Sequence, residues 1–215
     1  MASYPNNIFA TGSYRPTTNE PLIINKHWDS VANEIPAIEN ELGTNPAGSF
    51  TDVKSRLDSG LITQVDLWRL TTTKDTDGDI TGNLARPTEA GYGRLGTGMT
   101  QSSGVFTFPE TGIYLIEFTG YGYRVVSGSD NITIVILTST DDFSSEAFAA
   151  SADLGLGGGG LVSVATATYT FDVTNTATHK VKFNSRSHAD VNSDLIGGSG
   201  NYNETYFTFI RLGGT

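Results

Sequence analysis

Residues 104–123 read GVFTFPETGIYLIEFTGYGY, the most apolar stretch of the chain. Two short apolar runs flank Pro109–Glu110–Thr111–Gly112, and Pro and Gly at such spacing mark a turn between strands. Successive strand residues point to opposite faces. Ile113, Leu115 and Tyr121 therefore share one face of the second strand, and Tyr114, Ile116 and Phe118 share the other. A strand of an antiparallel sheet ordinarily keeps one face in water. Here both faces are apolar, so something must cover the second.

The pattern extends from Leu61 onward. ITQVDLWRLTT sets Val65, Leu67 and Arg69 against Asp66, Trp68 and Leu70. TKDTDGDITG, with Asp77-Gly78, predicts a hairpin-like turn. NITIVILTS places Ile132, Ile134 and Ile136 on one face and Val135 and Leu137 on the other. LVSVATATYTFDV sets Val162 and Val164 against Ala165, Ala167, Tyr169 and Phe171. HKVKFNS offers Val181 and Phe183, and ETYFTFIRL sets Phe207 and Phe209 against Tyr206, Ile210 and Leu212. Short strands joined by Gly-, Ser-, Asn- and Asp-rich loops predict a mainly β fold, a jelly-roll β-sandwich.

The N-terminal quarter differs. Residues 1–26 are rich in Asn, Thr and Pro without periodicity and read as an extended arm. Residues 27–60 are helical in pattern. Trp28, Val31, Ile35, Ile38 and Leu42 are spaced 3, 4, 3 and 4, the spacing of a coiled-coil seam, interrupted by Pro36. Phe50, Val53 and Leu57 keep the same spacing in a second short helix, for which Ser49 and Asp52 suggest a capping box and Gly60 a stop. Two heptads are too short for an independent coiled coil. They form either a helical hairpin on their own domain or a short stalk held together by a larger head. The expected organisation is thus an arm over 1–26, a stalk over 27–60 and a head over 61–215.

Composition narrows the function classes. The chain has 215 residues, 13 basic against 23 acidic side chains, a net charge of −10 and no cysteine. Such a charge disfavours nucleic-acid binding and anionic membranes. Disulfides and thiolate metal sites are excluded. No run is long and apolar enough to insert in a membrane, and the first residues, MASYPNNIFATGSYRP, lack the pattern of a cleaved secretory signal.

No catalytic constellation emerges, and no cofactor is implied. His27, His179 and His188 stand in no metal-binding spacing. Leu154–Gly160, LGLGGGG, lacks the Gly-Lys-Ser/Thr of a phosphate loop. Asp75, Asp77 and Asp79 resemble the start of a calcium loop, but the twelfth position is Arg86, where a bidentate Glu is required. A solvated turn and a looser calcium site both remain open. Asp141, Asp142, Asp190 and Asp194 fall in loops with no fixed separation that would pair them for glycoside hydrolysis. The chain is expected not to be an enzyme. The residues suited to recognition are Tyr121, Tyr123, Arg124, Arg186, His188 and Tyr202, aromatic rings and donors expected on loops and fit for a host-surface glycan or protein.

Apolar residues on both faces of three strands exceed what a monomer leaves wet, and the short helical segment is too small to coat a sheet. The second face is therefore expected to be an oligomer interface. Gly104, Phe106, Pro109, Gly112, Tyr114 and Phe118 resemble the strand–turn–strand signature of the complement C-one-q/tumour-necrosis-factor globular head. TYFTFIRL resembles that family's last strand, though it lacks the Gly between Thr208 and Phe209. The resemblance implies a ten-stranded jelly roll assembled as a homotrimer, with Phe106, Phe108, Tyr114, Ile116, Phe118, Phe207 and Phe209 in the head core or lining the three-fold interface. ENELGTNPAGSFTDVKSRLDSG further resembles connectors that precede heads in tailed-phage fibres, and GDITGNLARPTEAGYGRLGTGM resembles heads of marine phage structural proteins. Together these imply a trimeric fibre or spike of a bacteriophage virion, assembled in the host cytoplasm. Residues 1–26 would join it to other virion proteins and the head would face the host. A capsid decoration or head-fibre protein has the same anatomy, and a complement-like secreted module is the remaining alternative.

Overall fold

The computed structural model describes residues 35, 38, 42, 45–49, 51–124, 130–188, 193–198 and 202–215. The chain divides into two units between Arg56 and Leu57. In the first, Ile35, Ile38 and Leu42 are helical and more than half exposed. Of the expected stalk positions, Trp28, Val31 and Phe50 lie outside the described residues. Helix α1 (Val53–Ser59) spans seven residues. Its cap is Asp52 itself rather than Ser49: Asp52 Oδ1 accepts the Ser55 N–H at 2.6 Å, a carboxylate meeting one of the free donors of the first turn. Leu57 in this helix is 63% exposed and Val53 half-buried.

The second unit is an antiparallel sandwich of two sheets. Its strands are β1 (Val65–Leu70), β2 (Gly78–Asp79), β3 (Leu84–Ala85), β4 (Thr100–Ser102), β5 (Val105–Thr107), β6 (Gly112–Arg124), β7 (Asp130–Ser139), β8 (Ala147–Leu156), β9 (Val162–Val173), β10 (Lys180–Arg186), β11 (Ser193–Leu195) and β12 (Tyr206–Gly213). One sheet runs β11-β6-β12-β1-β3, with β9 on the other edge of β6. The second runs β4-β5-β10-β7-β8, with β2 also on β10. The two runs of the opening stretch, β5 and β6, thus belong to opposite sheets, and the Pro109–Gly112 turn carries the chain across.

That turn is tied at both ends. Tyr114 Oη donates to Glu110 O at 3.0 Å. Glu110 Oε1 accepts from Thr63 Oγ1 at 2.7 Å and Gln64 Nε2 at 3.1 Å. Arg211 Nε, from β12, donates to Thr111 O at 2.9 Å. Gly112 has φ 146°, and a Cβ there would stand 2.5 Å from Gly213 O. Only glycine admits that approach. Burial pushes the Tyr114 hydroxyl up to about 12, with the Glu110 charge acting in the same direction.

The inward faces of the two sheets meet in an aromatic core. Phe106 has ring centroids 5.5 Å from Trp68, 5.5 Å from Phe183 and 5.1 Å from Phe209. Phe183 and Phe207 lie at 4.3 Å, Phe118 and Phe207 at 4.8 Å, and Phe108 and Tyr114 at 4.7 Å. Rings at these separations add about 0.5–1.5 kcal/mol per pair beyond area burial. All seven residues assigned to core or three-fold interface are therefore core: Phe106, Phe108, Tyr114, Ile116, Phe118, Phe207 and Phe209 are each buried inside one chain. They are not available to line an axis between copies.

Two further expectations change. Val135 and Leu137, the second apolar face of β7, are buried within the chain; in register, Leu137 is flanked by Lys182 and Phe148. Asp77-Gly78 does not close a local hairpin. Instead β1 pairs with β3 (Leu70↔Leu84), and β2 leaves to pair with β10 (Asn184↔Asp79, Ser185↔Gly78). The tie is long-range: Ile80 N–H donates to Phe183 O at 2.8 Å, and Ile80 itself sits in the core.

Candidate functional site

The outward face of the β9-β6-β12-β1 region holds the unexplained apolar residues. Register places Leu115 between Ile210 and Thr170, Glu117 between Thr208 and Thr168, Thr119 between Tyr206 and Thr166, and Tyr121 beside Val164. β1 adds Val65 opposite Ile210 and Leu67 opposite Thr208. Ile113, Leu115, Tyr121, Tyr123 and Ile210 are half-buried, whereas Val162, Val164 and Leu212 are 54%, 59% and 44% exposed. On β9, β6 and β12, Glu117 is the only ionic residue in these rows. Arg69, at the same face opposite Tyr206, is buried; its Nη1 is 3.5 Å from Gly198 O and 3.9 Å from Glu89 Oε1. Val162 and Val164 were not among the expected interface residues. Their signal was the strict alternation in VSVATATYTFDV, which puts valines and threonines together on the outward face.

The second region is the end of the sandwich where β1 finishes, opposite Leu61–Gln64. β6 ends at this same end, because β12 runs antiparallel to both β1 and β6. The six expected recognition residues all belong to the half of the sandwich nearest it, but they play different parts. Tyr121 and Tyr123 are strand residues of β6, not loop residues. Arg124 is buried, the last residue of β6; its Nη1 lies 3.1 Å from Asp130 Oδ2 and donates to Ser193 Oγ at 2.6 Å. It holds strands rather than ligands. Arg186 is exposed, with its guanidinium 5.3 Å over the Phe148 ring. His188 is fixed at both ring nitrogens, Nδ1 with Ser193 O at 2.9 Å and Nε2 with Ser185 Oγ at 3.0 Å. Tyr202 is 54% exposed. Side chains from both faces and several loops do not make one pocket.

The three aspartates of the candidate calcium loop have separate partners. Asp77 Oδ1 accepts the His188 N–H at 2.9 Å. Asp79 pairs with Lys182 Nζ at 2.8 Å and accepts Asn184 Nδ2 at 2.6 Å. Burial raises the Asp79 carboxyl, but the Lys182 and Asn184 hydrogen bonds outweigh it and hold it below the ordinary range. Asp75 faces Asp194, whose carboxyl is raised by burial and by the Asp75 charge. Among the described residues no cluster of three or more His, Asp or Glu side chains is arranged to hold a metal ion. Lys182 Nζ also reaches Glu146 Oε2 at 2.8 Å and lies 4.7 Å from the Phe143 ring centre, a surface network on β10 that the sequence pattern did not signal.

Among the described residues no helix is long and apolar enough to cross a membrane. Comparison with protein-family models and with curated proteins finds no match to the chain. What stands is the class defined by its fold, a two-sheet antiparallel β-sandwich with an apolar outward face on one sheet.

Proposed function

We propose that the chain is a structural protein of a tailed-bacteriophage virion, a trimeric fibre or spike whose jelly-roll head contacts the host surface and whose residues 1–26 join it to the particle. The observation that carries the reading is the outward face of β9, β6 and β12. On a chain of net charge −10, like-charge repulsion opposes self-association over most of the surface. This face is instead apolar and hydroxylic, with Glu117 as the lone central charge. Val162 and Val164 expose area worth about 1–2 kcal/mol per side chain when covered. A second and third copy of the chain cover it.

The strand order supports the same reading. β3-β1-β12-β6-β9 against β4-β5-β10-β7-β8 holds ten strands in two sheets, the strand number that the family resemblance implies, with β2 and β11 as additions. In a trimer each recognition loop is present three times, so weak contacts add through avidity. Immunogold electron microscopy of phage particles with an antibody raised against the chain tests the assignment. Label at the outer tips of projections is expected; particles that carry no label contradict it.

A further inference from the structure

The loop between β1 and β3 lines an open cleft of about 210 Å³ at the end of the sandwich opposite Leu61–Gln64. Its backbone is held at several points. Thr71 N–H donates to Asn83 O at 2.7 Å, Lys74 and Leu195 exchange hydrogen bonds at 2.9 and 2.8 Å, and Asp79 is fixed by Lys182 and Asn184. Leu70 and Ile80, both core residues, close the floor. The lining is completed by the exposed side chains of Thr72, Thr73, Asp75, Thr76, Thr81 and Asn83. None of them makes a hydrogen bond among the described residues.

We propose that this cleft is a preformed subsite for one neutral sugar ring, the terminal residue of a host-surface glycan. Hydroxyls, an amide and a carboxylate on a pinned backbone offer donors and acceptors, and binding has only short side chains left to order. That mixture matches a polyol, which presents both at every carbon. An anionic sugar or phosphate is disfavoured, because the lining sets Asp75 and Asp79 against the one cation Lys74, and nearby Asp194 already feels the Asp75 charge. The volume suits a single ring rather than an extended oligosaccharide, and the position is the end turned away from the chain's entry at Leu61–Gln64. The proposal rests on the reading of the head as a host-contacting module, and it adds the place and the chemistry of the contact.

The test is saturation-transfer NMR on the full chain with D-glucose, D-galactose, D-mannose and N-acetylglucosamine at millimolar concentration, with N-acetylneuraminic acid as the anionic comparison. At least one neutral sugar is expected to receive saturation and the anionic sugar none. Asp75→Ala with Asn83→Ala is expected to weaken the response about tenfold at unchanged Tm, since both side chains are exposed and unpartnered. Thr100→Ala, exposed on β4 and outside the cleft, is expected to leave it unchanged. Absence of transfer from every neutral sugar, or transfer that survives the double variant, overturns the cleft assignment. The trimer reading is judged separately by mass in solution: a trimer that binds no sugar removes only the cleft, and a monomer that binds sugar removes only the fibre.

Discussion

Arg86 grips Asp66 with two parallel hydrogen bonds, Nε to Oδ1 and Nη2 to Oδ2, both at 2.8 Å. Asp66 points inward from β1, and it also accepts from Trp68 Nε1 at 3.0 Å, Met99 N at 2.7 Å and Tyr92 Oη at 3.1 Å. The guanidinium lies 4.3 Å over the Trp68 ring. One buried carboxylate thus fastens residues 86–99 to the first strand of the sandwich. Removing it leaves several donors without an acceptor. Asp66→Ala is expected to cost about 2–4 kcal/mol, discounted because Arg86 is partly exposed. A urea midpoint within experimental error of the wild type contradicts this role.

Acid should act through the same residue. Burial raises the Asp66 carboxyl, but the Arg86, Trp68 and Met99 hydrogen bonds outweigh it, so its folded pKa lies below the unfolded value of 3.8. Asp79 is held low by Lys182 and Asn184, and Asp141 is lowered to about 2 by Ser145. A depressed carboxylate stabilises the fold above its unfolded pKa, and that contribution disappears as pH falls through the folded pKa. Stability is therefore expected to hold from neutrality to about pH 4 and to fall below it. Asp66→Asn should flatten part of that fall in a series of urea titrations. A fold that gains stability below about pH 4 contradicts the depression of these three carboxyls.

Asp194 works in the opposite direction. Its folded pKa is raised by burial and by Asp75, so its stabilising contribution is present at low pH and lost as pH rises through that value. Asp194→Asn is expected to leave Tm at pH 7 unchanged or raise it. A clear loss of Tm shows that the carboxylate has a favourable partner instead.

Core and outward face should respond differently to truncation. Phe106, buried against Trp68, Phe183 and Phe209, is expected to cost about 3–5 kcal/mol on change to Ala. Phe118→Asp should prevent folding of the head altogether, because it places a charge in the aromatic core rather than at an interface. Val164→Ala is expected to leave the fold of a single chain nearly unchanged and to weaken only association. Equal effects of Phe106→Ala and Val164→Ala on far-UV circular dichroism melts contradict the division of the two faces.

Calcium should make no difference to melting. Asp77 and Asp79 already have partners within the chain, so Tm is expected to be the same in calcium and in EDTA. A rise in calcium reversed by EDTA shows a site that these pairings do not account for.

Much of the fold is legible in sequence because it is written in local alternation. The Pro109–Gly112 turn, the two faces of β6 and the inward set on β12 follow from residue parity alone. Parity does not say which face turns inward; long-range contact settles that, as Phe106 and Phe183 arrive from the opposite sheet. Asp66 alternates correctly with Trp68 and Leu70, yet no local signal shows that Arg86 and Met99 N–H will satisfy a buried carboxylate. Asp77-Gly78 looks like a hairpin because two-residue turns are read locally, whereas Asn184 and Phe183 draw that segment to the other sheet. Arg124 looks like a loop donor until Asp130 and Ser193 meet it. The cleft beside Asn83 has no sequence signature, since it arises from where the loop between β1 and β3 is pinned.

The proposed fibre depends above all on copies of the chain covering the outward face of β9, β6 and β12. Multi-angle light scattering of the full chain, beside Val164→Arg, measures that directly. A mass three times the 22.9 kDa of one chain is expected for the wild type, and a folded single chain for Val164→Arg. A wild type that elutes as a folded single chain at micromolar concentration contradicts the trimer.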